Sequence, residues 1–285
     1  MVMAEIQPSG YSPTVMKRML SRKLVELRKA VGLTTYDVQR ELGWSPTKLN
    51  HIEKARWVKP SGDDVADLCE LYGVSGKDQD ALIQLARDAR KRGWWRRYDD
   101  VFSSEFPGFE AGASMIRMFE TRLIPGLLQV PGYIELITRA SGIEDADEIK
   151  RHVDARVQRQ QILTRPKRPC RLHAVIDENA ILRINDPQLR AEQIRHILAV
   201  AKRRTVEVQV LTIAAGHYPG GSEPFTYLSF PDEADRDLVY LETTIDDRLL
   251  EEEDELERYM LRFNRLCAAA LDAQSTRAHL ERQIE

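Results

Sequence analysis

Leu49 and Ile52 stand three residues apart, the spacing of one helix face. They leave Pro46, Thr47, Lys48, Asn50, His51 and Lys54 on the outer side. That outer face is polar and uncharged to basic, and the chemistry open to it is hydrogen bonding to DNA.

Such a face needs two elements to hold it. Thr34 has Asp37 three residues on, so a side-chain oxygen and a carboxylate satisfy the orphan amides of a helix start, and a helix begins at about Thr34. Gly43 follows the last apolar position, Leu42, where a left-handed residue stops a helix at little cost. Ser45 and Pro46 then supply the next N-cap and first-turn proline. Two short capped helices joined by a glycine turn, over Leu33 to Glu53, make the layout of a DNA-reading helix-turn-helix.

Two further capping boxes, Ser61 with Asp64 and Ser75 with Asp78, precede the apolar runs Val65, Leu68, Cys69, Leu71, Tyr72 and Leu82, Ile83, Leu85, Ala86. An earlier run from Met16 to Val31 makes the first helix. The reading is an all-α helix-turn-helix domain of five helices over residues 16–92, a size at which a small domain buries its own core.

The chain has 285 residues, 42% hydrophobic and 31% charged, enough for two domains of ordinary globular composition. No apolar run reaches the roughly 18 residues of a membrane span, and no basic segment with an apolar core opens the chain, so a cytoplasmic protein with no membrane partner is expected. Cys69, Cys170 and Cys267 are scattered singly, without CxxC or Cys/His spacing. They predict buried small side chains and neither a disulfide framework nor a metal site. The formal net charge of -3 divides unevenly: residues 17–97 carry +7 and residues 98–285 carry -9. A basic front fits duplex binding, and an acidic back is not expected to add phosphate contacts.

The boundary falls near Arg87 to Tyr98, where an arginine-rich helix end meets Gly93 and the pair Trp94 and Trp95. Packing of the junction by the tryptophans is favoured over an extra DNA arm, because large aromatics bury area best where two units meet. Residues 93–275 form the second domain. Phe109 to Ala140 reads helical with breaks at Pro125 and Pro131, and Ile143 to Leu163 as a charged helix with apolar Ile149, Val153, Val157 and Ile162. The period then changes. Leu172, Ala174, Ile176 and Val206, Val208, Val210 alternate as strands, and Phe225–Phe230 and Leu238–Glu242 add two more. With helices at about Pro187–Arg203 and Glu252–Leu271, this predicts an α+β domain with a small, mostly antiparallel sheet.

The first domain resembles the Xre/Cro-type helix-turn-helix regulators, the class of the lambda-like repressors. The resemblance rests on Gly32-Leu33-Thr34, Leu42-Gly43-Trp44-Ser45 and Leu49-Asn50-His51-Ile52-Glu53 with the basic loop to Pro60. It implies that Thr47, Lys48, Asn50 and His51 read base edges and that Thr35, Arg56 and Lys59 contact phosphates. Glu53 is then a structural acid closing the recognition helix. Gln39, where the family has a small residue, and Pro46, where it often has an amide-bearing side chain, depart from the pattern. Gly93–Tyr98, Ile124–Gln129, Arg156–Gln160, Val208–Leu211 and Gly216–Tyr218 through Pro224-Phe225 resemble segments of a bacterial group of two-domain regulators. Their C-terminal domain is described as antitoxin-like. The resemblance implies a small protein partner encoded by an adjacent gene.

The second domain offers little chemistry. Gly216 to Gly221 lacks the Gly-Lys-Ser/Thr ending of a phosphate-cradling loop and opens no helix. His217 is a general base only with an acid and a nucleophile beside it, and a lone loop histidine is expected to be no more than that. Glu251 to Asp254 suits a helix start better than a metal. The expectation is a sequence-specific DNA-binding transcriptional regulator, not an enzyme, without cofactor or metal. It would bind double-stranded DNA as a homodimer, with autoregulation through the partner protein. A ligand-gated repressor, with a small molecule enclosed by the sheet and the Gly216 to Pro224 loop, is the alternative. An enzyme fused to a DNA-binding module is the third reading.

Overall fold

The computed structural model describes residues 11–284 apart from Val58, Ser103, Lys167, 219–222, 232–234 and 244–246. The chain divides into two compact units, Met1–Arg97 and Tyr98–Glu285.

The first unit contains α1 (Pro13–Ala30), α2 (Thr35–Leu42), α3 (Pro46–Glu53), α4 (Gly62–Leu71) and α5 (Lys77–Ala89). Ser12 caps α1, its hydroxyl accepting the Val15 N–H at 3.2 Å. α1 packs along α5, and α4 closes on α5. Leu20, Leu24, Val38, Leu49, Ile52, Val65, Leu68, Leu82 and Leu85 are buried between them. The expected Ser75/Asp78 box does not form. Gly76, at φ 64°, occupies the cap position and no side chain caps α5, because the chain enters this helix through a left-handed residue that glycine alone takes without strain. Ser61 does cap α4, accepting the Asp64 N–H at 3.4 Å.

The second unit runs α6 (Phe106–Gly112), β1 (Met115–Glu120), α7 (Pro131–Ala140), α8 (Ala146–Gln160), β2 (Arg171–Asp177), α9 (Glu178–Leu182), α10 (Pro187–Val200), β3 (Val206–Leu211), β4 (Phe225–Ser229), β5 (Leu238–Leu241), β6 (Arg248–Leu250), α11 (Glu253–Ala269) and α12 (Ala273–Arg282). The sheet is six-stranded and mixed, in the order β3-β2-β1-β4-β5-β6, which corrects the small, mostly antiparallel sheet expected from sequence. β1, β2 and β3 are parallel, and β4, β5 and β6 are joined antiparallel to the β1 edge.

β1 lies inside the segment expected to be helical. It is a central strand, paired to Val175 through Phe119 on one side and to Phe225 on the other. Ile116, Met118 and Phe119 are all buried, so both faces are covered and no polar alternation marks the strand. Phe119, Val175, Leu211, Phe225 and Val239 pack with Phe263 and Leu266 of α11. On the opposite face Tyr240 stacks on Phe106 of α6, ring centroids 4.1 Å apart.

One helix also differs from expectation in what it buries. α8 buries Ile149 and Ala155, while Val157 is exposed, since the packed stripe runs through alanine rather than valine. The helix expected at about Glu252–Leu271 is α11, and α12 follows it beyond the expected helices. The turn between α11 and α12 donates the Leu271 N–H to Val210 O at 3.0 Å, and Thr276 Oγ1 accepts the Val210 N–H at 3.0 Å. These contacts cover part of the outer edge of β3, which would otherwise offer open pairing groups.

Candidate nucleic-acid interface

In α2 the Thr34 hydroxyl accepts the Asp37 N–H at 3.2 Å, and Asp37 Oδ2 accepts the Thr34 N–H at 2.9 Å. Those bonds hold the Asp37 carboxyl below the ordinary carboxylate range. Gly43 closes α2 in the left-handed region at φ 64°, and Ser45 caps α3, its hydroxyl accepting the Lys48 N–H at 3.2 Å. The turn is therefore set by residues local to it.

Leu49 and Ile52 are each 1% exposed and fix the inner face of α3. Thr47, Asn50 and His51 are exposed on the other side. Lys48 is placed differently from these three. Its ammonium lies 2.7 Å from Asp64 Oδ1 and 3.8 Å from the centroid of the Trp44 ring, so the cation is tied to the first turn of α4.

Glu53 ends α3 against Arg28 of α1, with Nε–Oε1 at 2.6 Å and Nη2–Oε2 at 3.0 Å. Arg28 also donates to Leu33 O at 2.8 Å, so one guanidinium joins α1, the entry to α2 and the end of α3. Glu53 raises the Arg28 pKa further, by its hydrogen bond and its charge.

Past α3, Ala55 sits at φ 53° while the Arg56 N–H reaches back to His51 O at 2.8 Å, a left-handed close made without glycine. Arg56 and Lys59 follow and are exposed, as is Thr35 at the first position of α2. Tyr36 beside it is 68% exposed. Sequence reasoning passed over this aromatic, although its offset of two from buried Val38 is the signal that turns it outward.

In the second unit, the segments that resemble the bacterial two-domain group serve the backbone. Gln160 Nε2 donates to Gly126 O at 3.2 Å and Gln129 O at 2.7 Å, and Gln129 Nε2 donates to Ile124 O at 2.7 Å. Gln193 Nε2 donates to Leu128 O at 2.6 Å while its Oε1 accepts the Val130 N–H at 3.0 Å. Arg159 pairs with Glu110, which is 1% exposed, and a Cβ on Gly126 would stand 3.1 Å from the Arg159 guanidinium. These side chains satisfy a buried, non-repetitive loop that has few backbone partners of its own.

Glu120, at the carboxyl end of β1, stands out among them. Burial and the Glu242 charge push its pKa up to about 8, against the opposing pull of Arg159.

His217 is exposed in its loop, and Tyr218 donates its hydroxyl proton to Asp177 Oδ2 at 3.1 Å. Residues 219–222, the middle of the Gly216 to Pro224 loop expected to enclose a small molecule, lie outside the described residues. Glu252 is the N-cap residue of α11, with Glu253, Asp254 and Glu255 in its first turn. Among the described residues no group of three His, Cys, Asp or Glu side chains is placed to hold a metal ion. The cysteines are free. Burial pushes Cys69 and Cys267 up to about 11 and Cys170 to about 12, so none is a ready nucleophile. Trp95 is buried, with its ring folded over Gly93.

No helix among the described residues is long and apolar enough to cross a membrane. Residues 19–82 match the family described as Helix-turn-helix domain, which points to a DNA-binding regulator. Searches of curated proteins and of solved structures each return no significant match. Residues 103–282, more than half of the chain, match the family described as Domain of unknown function (DUF5753), and the chain belongs to that family, with a helix-turn-helix domain ahead of it.

Proposed function

We propose that this protein is an Xre-type transcriptional regulator that binds a palindromic operator as a homodimer. One recognition helix reads only a few base pairs, so half-sites one turn apart call for two copies. The observation that carries the reading is α3, with Leu49 and Ile52 buried behind exposed Thr47, Asn50 and His51 and with exposed Arg56 and Lys59 just beyond. Thr47, Asn50 and His51 address base edges, and Thr35, Arg56 and Lys59 address phosphates. Lys48 joins the readers only by giving up Asp64. The acidic second unit binds a small protein encoded nearby and so controls the regulator's own promoter. Its net charge of -9 suits a basic partner better than DNA.

The test is selection of bound duplexes from a random pool by the full chain at near-physiological salt. A short palindrome is expected. Thr47→Ala with His51→Ala should relax its sequence, whereas Arg56→Ala should weaken all sequences alike and lower the salt slope by about 1. An unchanged selected sequence in the Thr47/His51 variant sinks the assignment of the reading face.

A further inference from the structure

The second unit has a cavity of about 380 Å³ at the amino ends of β2 and β3, between the end of α10 and α12. It lies at the other end of β3 from the Gly216 loop. Its lining is of two kinds. Leu172, Ile197, Val206 and Leu280 are buried and make an apolar floor. Arg171, Lys202, Arg203, Arg204 and Arg277 line the same cavity with cations.

Among the described residues, one of these five cations is spent on an acid of the protein's own and four are not. Arg277 pairs with Glu281 at 2.9 Å. Among the described residues, Arg171, Lys202, Arg203 and Arg204 make no side-chain hydrogen bond or ion pair. Glu207 is the one acid in the lining, and it stands 3.8 Å from His173. The carbonyl end of α10 accounts for a cation or two by its dipole. It does not account for cations brought in from β2, from the turn after α10 and from α12 around one apolar floor.

We propose that this cavity binds a small amphiphilic anion, a carboxylate or phosphate monoester with an apolar tail or ring. The volume is that of a small-molecule site, where an apolar lining holds the body and a few polar groups fix the head. Guanidinium groups suit a carboxylate or phosphate head through paired N–H donors. The apolar floor separates such a ligand from inorganic phosphate, which has nothing to place there. The unit's net charge of -9 makes the local cation cluster the place where an anion can approach. The site deepens the ligand-gated reading and places the ligand away from the Gly216 loop. It does not depend on operator recognition.

Isothermal titration of the full chain with octyl phosphate tests it. One saturable site per chain is expected, with inorganic phosphate and octanol each at least about tenfold weaker and octylammonium not competing. Arg203→Glu with Arg204→Glu should weaken octyl phosphate at least about tenfold, since two charge-assisted contacts become repulsive. Ala201→Trp, which fills the cavity without changing charge, should weaken it comparably. A calorimetric unfolding transition of the second unit unchanged from the parent chain shows that both variants are folded, and this control, like the titration, does not need an operator.

Absence of saturable binding overturns the proposal. Undiminished binding in both variants does the same. Inorganic phosphate binding as well as octyl phosphate, or displacement by short duplex DNA, would make the cleft a simple charged surface and overturn it too.

Discussion

Removing the carboxylate that holds Lys48 should strengthen DNA binding. Asp64→Asn keeps the backbone N–H that Ser61 caps and deletes only the charge facing the Lys48 ammonium at 2.7 Å. The two side chains are 37% and 25% exposed, so the pair is worth about 1 kcal/mol at most. If Lys48 must surrender that pair to reach DNA, its release tightens the operator complex by roughly fivefold. The Trp44 ring still holds the ammonium, which keeps the gain from being larger. Fluorescence anisotropy on the selected operator between 50 and 200 mM salt measures it. Asp64→Asn should lower Kd, and the freed Lys48 charge entering the groove should steepen the salt slope, by about 0.9 at most. The control is the same change in a Lys48→Met background, where only the long-range loss of a negative charge remains. The difference between the two backgrounds isolates the pair. Equal shifts in both would refute the reasoning, because Asp64 would then act on DNA as a distant charge and not through Lys48.

Three further outcomes are expected. Glu53→Ala strands Arg28 in a site where both side chains are under 15% exposed, and should cost the first unit about 3 kcal/mol in urea unfolding; a loss below about 1 kcal/mol would mean that water replaces the pair. Ala55→Gly relieves a left-handed alanine at φ 53° and should raise stability by about 0.5 kcal/mol, the relief exceeding the added freedom of the unfolded chain; a lower Tm contradicts this. Glu120, held protonated up to about pH 8 in the fold but releasing its proton near 4.5 when unfolded, makes the second unit lose stability as pH rises through that window and level off above it. The effect is on the order of 2 kcal/mol once its partial exposure is allowed for. Glu120→Gln should flatten the profile in calorimetry of the full chain, and an unaltered slope rules Glu120 out as its source.

What was legible in the sequence is what is decided within a few residues. Thr34 with Asp37, Gly43, and Ser45 with Pro46 act inside one turn, and the structure places each where its spacing required. The partners of Lys48 and Glu53 lie 16 and 25 residues away, so neither the restraint on Lys48 nor the role of Arg28 can be read from a local pattern. β1 was hidden for a related reason. Alternation marks a strand only where one face meets water, and β1 is covered on both, with Met115 and Met118 spaced as on a helix. Once β1 is lost, the parallel half of the sheet is lost too, since β2 and β3 have no third parallel neighbour and the remaining strands look antiparallel.

Charge carries the same lesson further. Net charge over residues 98–285 is a sum without positions, and at -9 it argued against DNA phosphate contacts from the second unit and said nothing of where its cations lie. The fold brings Arg171, Lys202, Arg203, Arg204 and Arg277 to one cavity from three places in the chain. Acids dominate the count yet supply a single member of that lining. A local field is set by what lies within about 8 to 10 Å at physiological salt, and the sum over a whole domain does not report it. Whether this unit takes an anion is therefore decided by the path of the chain between α10 and α12, and octyl phosphate against inorganic phosphate is the comparison that reads it.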